Sequence, residues 1–245
     1  MDVSNDEIKE AIEGNDLPLV KKLLKAEPAL LHQPAPEGVS NKERSQIQRY
    51  RPVTYSSVLN HTEILSYLLE QGGDAAEYHN FPLCRAALYD RCVPAIGLLL
   101  AHGADANRVG NDYGPPLIFA CEGSALDTMA FLLSRGAQIT GSGKSLTKTV
   151  SWNALKHAAF FNKGCPGMLK LLLDHGADPN STAADQQGRP ELANSALHNA
   201  AEKGDVKGVK VLLEYGADPQ ATNAEGKRPV DLTRNKKVRA ALESA

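Results

Sequence analysis

The 245-residue chain is poor in aromatic residues, cysteine and net charge, and it has no long apolar run. Lys and Arg number 27 against 29 Asp and Glu, a net charge of −2, which argues against a general nucleic-acid binder. Its longest uncharged apolar runs, such as 95–101, are far shorter than a membrane span. The acidic, polar N-terminus is unlike a secretion signal or a transit peptide. We therefore expect a cytoplasmic, or else nuclear, protein that is not secreted and binds neither nucleic acid nor a membrane.

The residues that usually form metal, disulfide or phosphate sites lack the necessary spacing. The four cysteines contain no Cys-x-x-Cys pair, and the seven histidines are scattered without the spacing of metal ligands. The segment Gly141–Ser145 has the tail of a phosphate-binding loop, but Gln138 stands where that loop needs its first Gly. We expect reduced thiols, no metal and no cofactor.

One pattern recurs along the chain: two leucines, two further residues, Gly, a small residue and usually Asp. Successive glycines of this pattern, from Gly72 to Gly216, are 31, 33, 40 and 40 residues apart. A period of this size is typical of stacked-repeat proteins. Each Gly follows an apolar helix face, at the place where a helix ends in a left-handed residue. The pattern therefore predicts a helix that ends at each Gly.

A second pattern precedes each copy of the first. It begins at the following residues: Arg51 (RPVTYSS), Phe81 (FPLCRAA), Pro115 (PPLIFAC), Asn153 (NALKHAA) and Ser195 (SALHNAA). Proline at the second position fits the first turn of a helix, where no N–H is needed. The pair of small residues further along allows a neighbouring helix to approach closely. Each unit is thus predicted to be a short helix, a turn, a longer helix ending at Gly, and an extended linker.

These two patterns resemble the Thr-Pro-Leu-His and Gly-Ala-Asp marks of the ankyrin repeat, over nearly the whole chain. The complete first mark is absent, Ser195–His198 being nearest to it, and Gln138 replaces one Asp. The resemblance implies an all-α, ankyrin-like repeat solenoid with about six helix–turn–helix repeats, a C-terminal capping helix pair and some extended hairpin fingers. It predicts a single domain over 1–245, with units near 5–31, 51–74, 81–105, 115–138, 153–178 and 195–218, a cap at 228–242, and long inserts at 26–50, 138–151 and 179–194.

In the ankyrin family, partners contact the fingers and the exposed positions of the shorter helix, which are the residue before the Ala-Ala pair and the two after it. In this chain those positions are polar at both ends and apolar in the middle, as expected of a binding surface. The concave-face candidates are Tyr55, Val58, Leu59, Arg85, Leu88, Tyr89, Phe119, His157, Phe160 and Phe161. The finger candidates are Asp112, Tyr113 and Trp152. The predicted function is a monomeric, non-enzymatic module that binds a partner protein through the concave face and the hairpin fingers.

Two other interpretations stay open. The apolar face positions are internal packing if the fingers fold back over them. Alternatively, the long fingers close an apolar pocket over repeats 2–5, which would make the protein a small-molecule binder or an unusual enzyme. In that case His157, with Lys156, Asp112 or Tyr113, supplies the first acid–base candidates.

Overall fold

The structure, a computed structural model, describes residues 5–32, 51–110, 114–144, 149–161, 165–182 and 193–245. Within these residues the chain forms a row of helix pairs, each with a first and a second helix. The pairs are Asn5–Glu13 with Leu17–Ala26 (repeat 1), Pro52–Leu59 with Thr62–Glu70 (repeat 2), Glu77–Ala86 with Val93–Ala101 (repeat 3), Pro116–Glu122 with Leu126–Ser134 (repeat 4), Ala154–Phe161 with Pro166–Asp174 (repeat 5), Ala196–Lys203 with Val206–Glu214 (repeat 6), and Pro229–Leu232 with Lys236–Glu243 (terminal pair). The predicted repeat solenoid is confirmed.

Neighbouring repeats pack first helix on first helix and second helix on second helix. The small-residue pairs lie at the first-helix contacts, where Ala158, Ala159, Ala200 and Ala201 are at most 1% exposed. The second helices contribute most of the buried leucines of the core. A single unit has no closed core of its own, so its apolar face is buried only by its neighbours.

The first helices begin as their sequences predict, with one exception. Proline occupies the first turn of the first helices of repeats 2 and 4, and Ser195 caps repeat 6 through its side chain. In repeat 3 the helix begins at Glu77, a turn before the predicted start, and Pro82 lies inside it. Tyr78 and Asn80 in this extra turn have positive φ angles of 49° and 69°. The regular part of the helix therefore still begins near Pro82, where the missing N–H costs nothing.

The second helices end where the glycines predict. Gly176 has φ +85°, in the left-handed region, and no neighbouring atom lies within 4 Å of the place where a Cβ would be. The other four glycines of the pattern also have positive φ. Backbone conformation, rather than crowding, therefore selects Gly at these helix ends.

The insert at 138–151 contains the predicted hairpin. Its strands, β1 (Thr140–Lys144) and β2 (Thr149–Asn153), pair antiparallel with Gly141 opposite Trp152. A Cβ on Gly141 would lie 2.7 Å from the Trp152 ring, so the indole occupies the space that a side chain would need. The glycines of the phosphate-loop-like segment thus belong to a strand covered by Trp152. The predicted inserts within 33–50 and 183–192 lie outside the described residues.

In the described part of the chain, no helix is both long and apolar enough to cross a membrane.

Candidate functional site

The concave-face candidates lie on the first helices of repeats 2 to 5, except Leu88 and Tyr89, which lie just after the first helix of repeat 3, and their solvent exposure differs widely. Phe161 is 48% exposed. Four others pack against the hydrophobic core while remaining half-buried: Tyr55, Leu59, Leu88 and Tyr89. Three more are half-buried: Val58, Arg85 and Phe160.

The prediction of exposed side chains is wrong for three candidates, because Phe119, His157 and Trp152 are only 5%, 0% and 4% exposed. Phe119 lies on a helix packed between the first helices of repeats 3 and 5. Trp152 lies against the β1 glycines, and its indole N–H donates to the carbonyl of Gln138 at 3.2 Å. Asp112 and Tyr113 lie outside the described residues. A pocket closed by the long fingers depends largely on such residues, and so that interpretation stays a prediction.

His157 is buried without hydrogen bonds. Neither ring nitrogen has a hydrogen-bond partner among the described residues, and Oε1 of Glu122 lies 3.8 Å from Nε2. The Phe161 ring lies over the imidazole, with 4.5 Å between ring centroids and an interplanar angle of 31°. Burial lowers the pKa of His157 to about 4. The imidazole is therefore neutral at physiological pH, with one nitrogen able to donate and the other able to accept.

Glu122 connects this histidine to the charged groups of the face. Its side chain, at the end of the first helix of repeat 4, is 32% exposed. Partial burial raises the pKa of the Glu122 carboxyl group, and the nearby positive charge of Arg85 offsets part of that increase.

An aromatic cluster, formed by His157, Phe160 and Phe161, extends this arrangement towards repeat 6. Phe160 and Phe161 make an edge-to-face contact with centroids 4.8 Å apart. Nζ of Lys203 lies 3.6 Å from the centroid of the Phe160 ring, which makes a cation–π contact between repeats 5 and 6. The exposed Phe161 ring thus contacts the rings of both His157 and Phe160.

Glu122 and Lys203 are the functional candidates that sequence reasoning missed. Both lie on the face of the first helices, but only their contacts with His157 and Phe160 connect them to the aromatic cluster. The signal in the sequence is limited to their place one and two residues after a pair of small residues, which is a face position. In the described residues, no group of three or more His, Cys, Asp or Glu is arranged to hold a metal.

Family comparison agrees with the architecture. Residues 95–183 match a family model described as ankyrin repeats in three copies, and residues 194–224 match one for a single ankyrin repeat. The chain contains ankyrin repeats over these residues. The ankyrin repeat domain of human ASB11 is similar in fold, with a TM-score of 0.71 and 23% identity over 97% of this chain and 96% of that one. The ankyrin repeat domain of Bcl-3, a member of the IkappaB family, has a TM-score of 0.68 and 24% identity over 97% of both chains. No curated protein sequence matches the chain significantly.

The ankyrin repeat also gives His198 and His157 different positions. His198 occupies the His position of the Thr-Pro-Leu-His mark in repeat 6, where it bonds Ser195 and the carbonyl of Lys227. Lys156 takes that position in repeat 5, and its N–H donates to Oδ1 of Asn153 at 3.1 Å. His157 is the next residue along, a face position. The structural function of His198 therefore does not extend to His157.

Proposed function

We propose that this ankyrin-repeat protein is a non-enzymatic interaction module that binds a partner protein through the face of its first helices. Ankyrin repeat domains are in general protein–protein interaction modules. The observation that carries the proposal for this chain is the position of Phe161, 48% exposed beside Phe160 in the middle of the face. We further propose that it acts as a monomer in the cytoplasm or the nucleus, where its four free cysteines stay reduced.

Phe161 suits the anchor of an interface because it is exposed and lies beside other aromatic rings. Its contacts with Phe160 and His157 place the ring at the surface of the face, where a partner can bury it. An aromatic side chain of this kind contributes much of its binding energy through desolvation. In the described residues the other exposed large apolar side chains are Leu19 and Leu126, both in the first turn of a second helix. Single exposed leucines of this kind are ordinary on protein surfaces.

In this proposal the half-buried candidates shape the binding surface and do not serve as anchors as Phe161 does. Leu88 and Tyr89 pack against the core, so they form the floor and wall of the surface rather than protruding anchors. The Tyr55 hydroxyl already donates to Glu13, which orients that ring toward repeat 1. We therefore propose a binding centre over repeats 3 to 5, formed by Arg85, Leu88, Tyr89, Phe160 and Phe161.

The experiment compares Phe161→Asp with Leu126→Asp, which places the same charge at another exposed apolar position. Proteins that the full-length wild-type chain captures from a native lysate are identified by mass spectrometry, and each is then tested as a purified protein. We expect Phe161→Asp to abolish the interaction and Leu126→Asp to leave it unchanged, with both variants keeping the wild-type helical content and melting temperature. A folded Phe161→Asp variant that still binds every purified partner of the wild type would contradict the proposal.

A further inference from the structure

The buried imidazole of His157 is unusual because both of its ring nitrogens lack a hydrogen-bond partner among the described residues. Its side chain is 0% exposed, so water does not compensate from the surface. A phenylalanine or leucine at the same place would fill the space without leaving polar atoms unpaired. Such a departure from good packing is expected at sites where function, rather than stability, selects the residue.

We infer that His157 and Glu122 form a subsite for a phenol, the side chain of a tyrosine in a peptide segment of the partner. This inference rests on the proposed function, since it assigns a recognised group to the same face. The phenol hydroxyl bridges Nε2 of His157 and Oε1 of Glu122, and the phenol ring packs against Phe161.

The distance between the two polar atoms fits one bridging oxygen. Nε2 and Oε1 are 3.8 Å apart, too far for a direct hydrogen bond. One oxygen atom can lie about 2.8 Å from both, within hydrogen-bond range of each. A hydroxyl group accepts from Nε2–H while donating to the carboxyl oxygen, and so it satisfies both groups at once.

The charges around the subsite favour a neutral group. A carboxylate of the partner would be repelled by Glu122. An ammonium group would compete with the charge of Arg85, which already acts on Glu122, and with Lys203 beside Phe160. A neutral phenol is repelled neither by the negative charge of Glu122 nor by the positive charges of Arg85 and Lys203.

Aromatic contact and access fit the same group. The Phe161 ring lies against the imidazole of His157, and Phe161 is the last residue of its helix. The inferred subsite requires this ring to rotate away from the imidazole, which its exposure of 48% permits. Exposed side chains change rotamer within picoseconds to nanoseconds. A phenol ring entering beside Phe161 replaces the contact that the imidazole loses.

The direct test uses N-acetyl-tyrosinamide as the probe on the full chain labelled with ¹⁵N. The controls are N-acetyl-phenylalaninamide, which lacks the hydroxyl group, and N-acetyl-O-methyltyrosinamide, which accepts but does not donate. We expect the tyrosine probe to shift the ring ¹⁵N resonances of His157 and to bind at least about fivefold more tightly than either control, the contribution of one net hydrogen bond. No shift up to the solubility limit, or equal binding of the three probes, would overturn the subsite.

Two variants separate recognition from a structural function of the histidine. His157→Phe keeps an aromatic ring without nitrogens, and Glu122→Ala removes the carboxyl group from a partly exposed side chain. Both variants are expected to bind the tyrosine and phenylalanine probes equally, while His175→Gln, on an exposed position, keeps the preference for tyrosine. A preference for tyrosine that survives His157→Phe would assign the hydroxyl group to another site and refute the subsite.

Selection of a displayed random-peptide library on the full chain separates this inference from the proposed function. Peptides whose binding requires both their own tyrosine and His157 support both proposals. Peptides that lack tyrosine but lose binding with Phe161→Asp support the face and refute the subsite. Peptides that bind the Phe161→Asp variant as well as the wild type contradict the proposed function itself.

Discussion

His157 in repeat 5 and His198 in repeat 6 are equally buried but differ in their hydrogen bonding. His198 is 1% exposed, and its Nδ1 lies 2.8 Å from the hydroxyl oxygen of Ser195 while Nε2 lies 3.0 Å from the carbonyl oxygen of Lys227. His157 is 0% exposed and has a bond at neither nitrogen among the described residues. His198 thus joins the capping residue of its own helix to the following linker, whereas the ring nitrogens of His157 make no such connection among the described residues.

The polar side chains near His198 are hydrogen-bonded as well. Asn199, next to His198, donates to the carbonyl oxygen of Lys156 at 3.1 Å and accepts from Asn194 at 3.2 Å. Asn223 donates in turn to Asn194 at 2.9 Å. A buried polar network in which every member is bonded stabilises its fold. Burial alone therefore does not distinguish a structural histidine from a candidate for recognition, and the bonds of the ring nitrogens do.

The largest expected difference between the two repeats comes from replacing His198 and His157, one at a time, by phenylalanine. His198→Phe removes the ring's bonds to Ser195 and to the Lys227 carbonyl, which keeps its bond from the N–H of Asn223, and it should lower the free energy of unfolding by about 2–4 kcal/mol. His157→Phe breaks no hydrogen bond, so it should leave that free energy unchanged or raise it. Urea unfolding followed by circular dichroism measures both. An equal loss in the two variants would show that His157 has a structural partner.

Glycine substitutions test whether repeats 5 and 6 are otherwise alike. Gly176 and Gly216 have φ of +85° and +82° at equivalent helix ends. Gly176→Val and Gly216→Val should each cost about 1–3 kcal/mol, because a β-branched residue is strained in the left-handed conformation.

Two milder changes serve as controls in the same thermal melts. Gly176→Asn should cost less, since asparagine tolerates this conformation. Asp178→Ala, which removes a side-chain bond of 2.9 Å from the N–H of Asn180, should also cost less. Equal melting temperatures for Gly176→Val and Asp178→Ala would contradict the helix end assigned to Gly176.

The smallest expected effect is the pH dependence of stability that His157 causes. Burial lowers the pKa of His157 from 6.5 to about 4. Below pH 6.5 the unfolded chain therefore binds a proton that the folded chain does not, so that the free energy of unfolding falls as the pH falls toward 4. Between pH 7.5 and 5.5 this contribution is about 1 kcal/mol.

His157→Phe should remove that part of the pH dependence, whereas His175→Gln should keep it. Denaturant melts at the two pH values measure the difference between each variant and the wild type. The same slope in the wild type and in His157→Phe would show that the folded imidazole is solvated.

The sequence alone predicted the helix ends and the stacked repeats, because these depend on local chemistry, whereas the hairpin at 138–151 was expected from the resemblance to the ankyrin repeat. A left-handed helix end needs Gly, a first helical turn accepts Pro, and a pair of small residues permits close packing wherever they occur. The capping function of His198 also follows a local pattern, with Ser195 three residues earlier.

Tertiary structure alone decided which face positions are exposed. Phe119, His157 and Phe161 all occupy predicted face positions, yet their exposure is 5%, 0% and 48%. The difference arises because Glu122, from repeat 4, and Phe161 both lie against the imidazole of His157, whereas Phe161 contacts His157 and Phe160 and still stays half exposed. The burial of a face residue depends on the side chains around it, including those of the neighbouring repeat. A repeat pattern identifies equivalent positions, but it does not indicate which side chains contact each other.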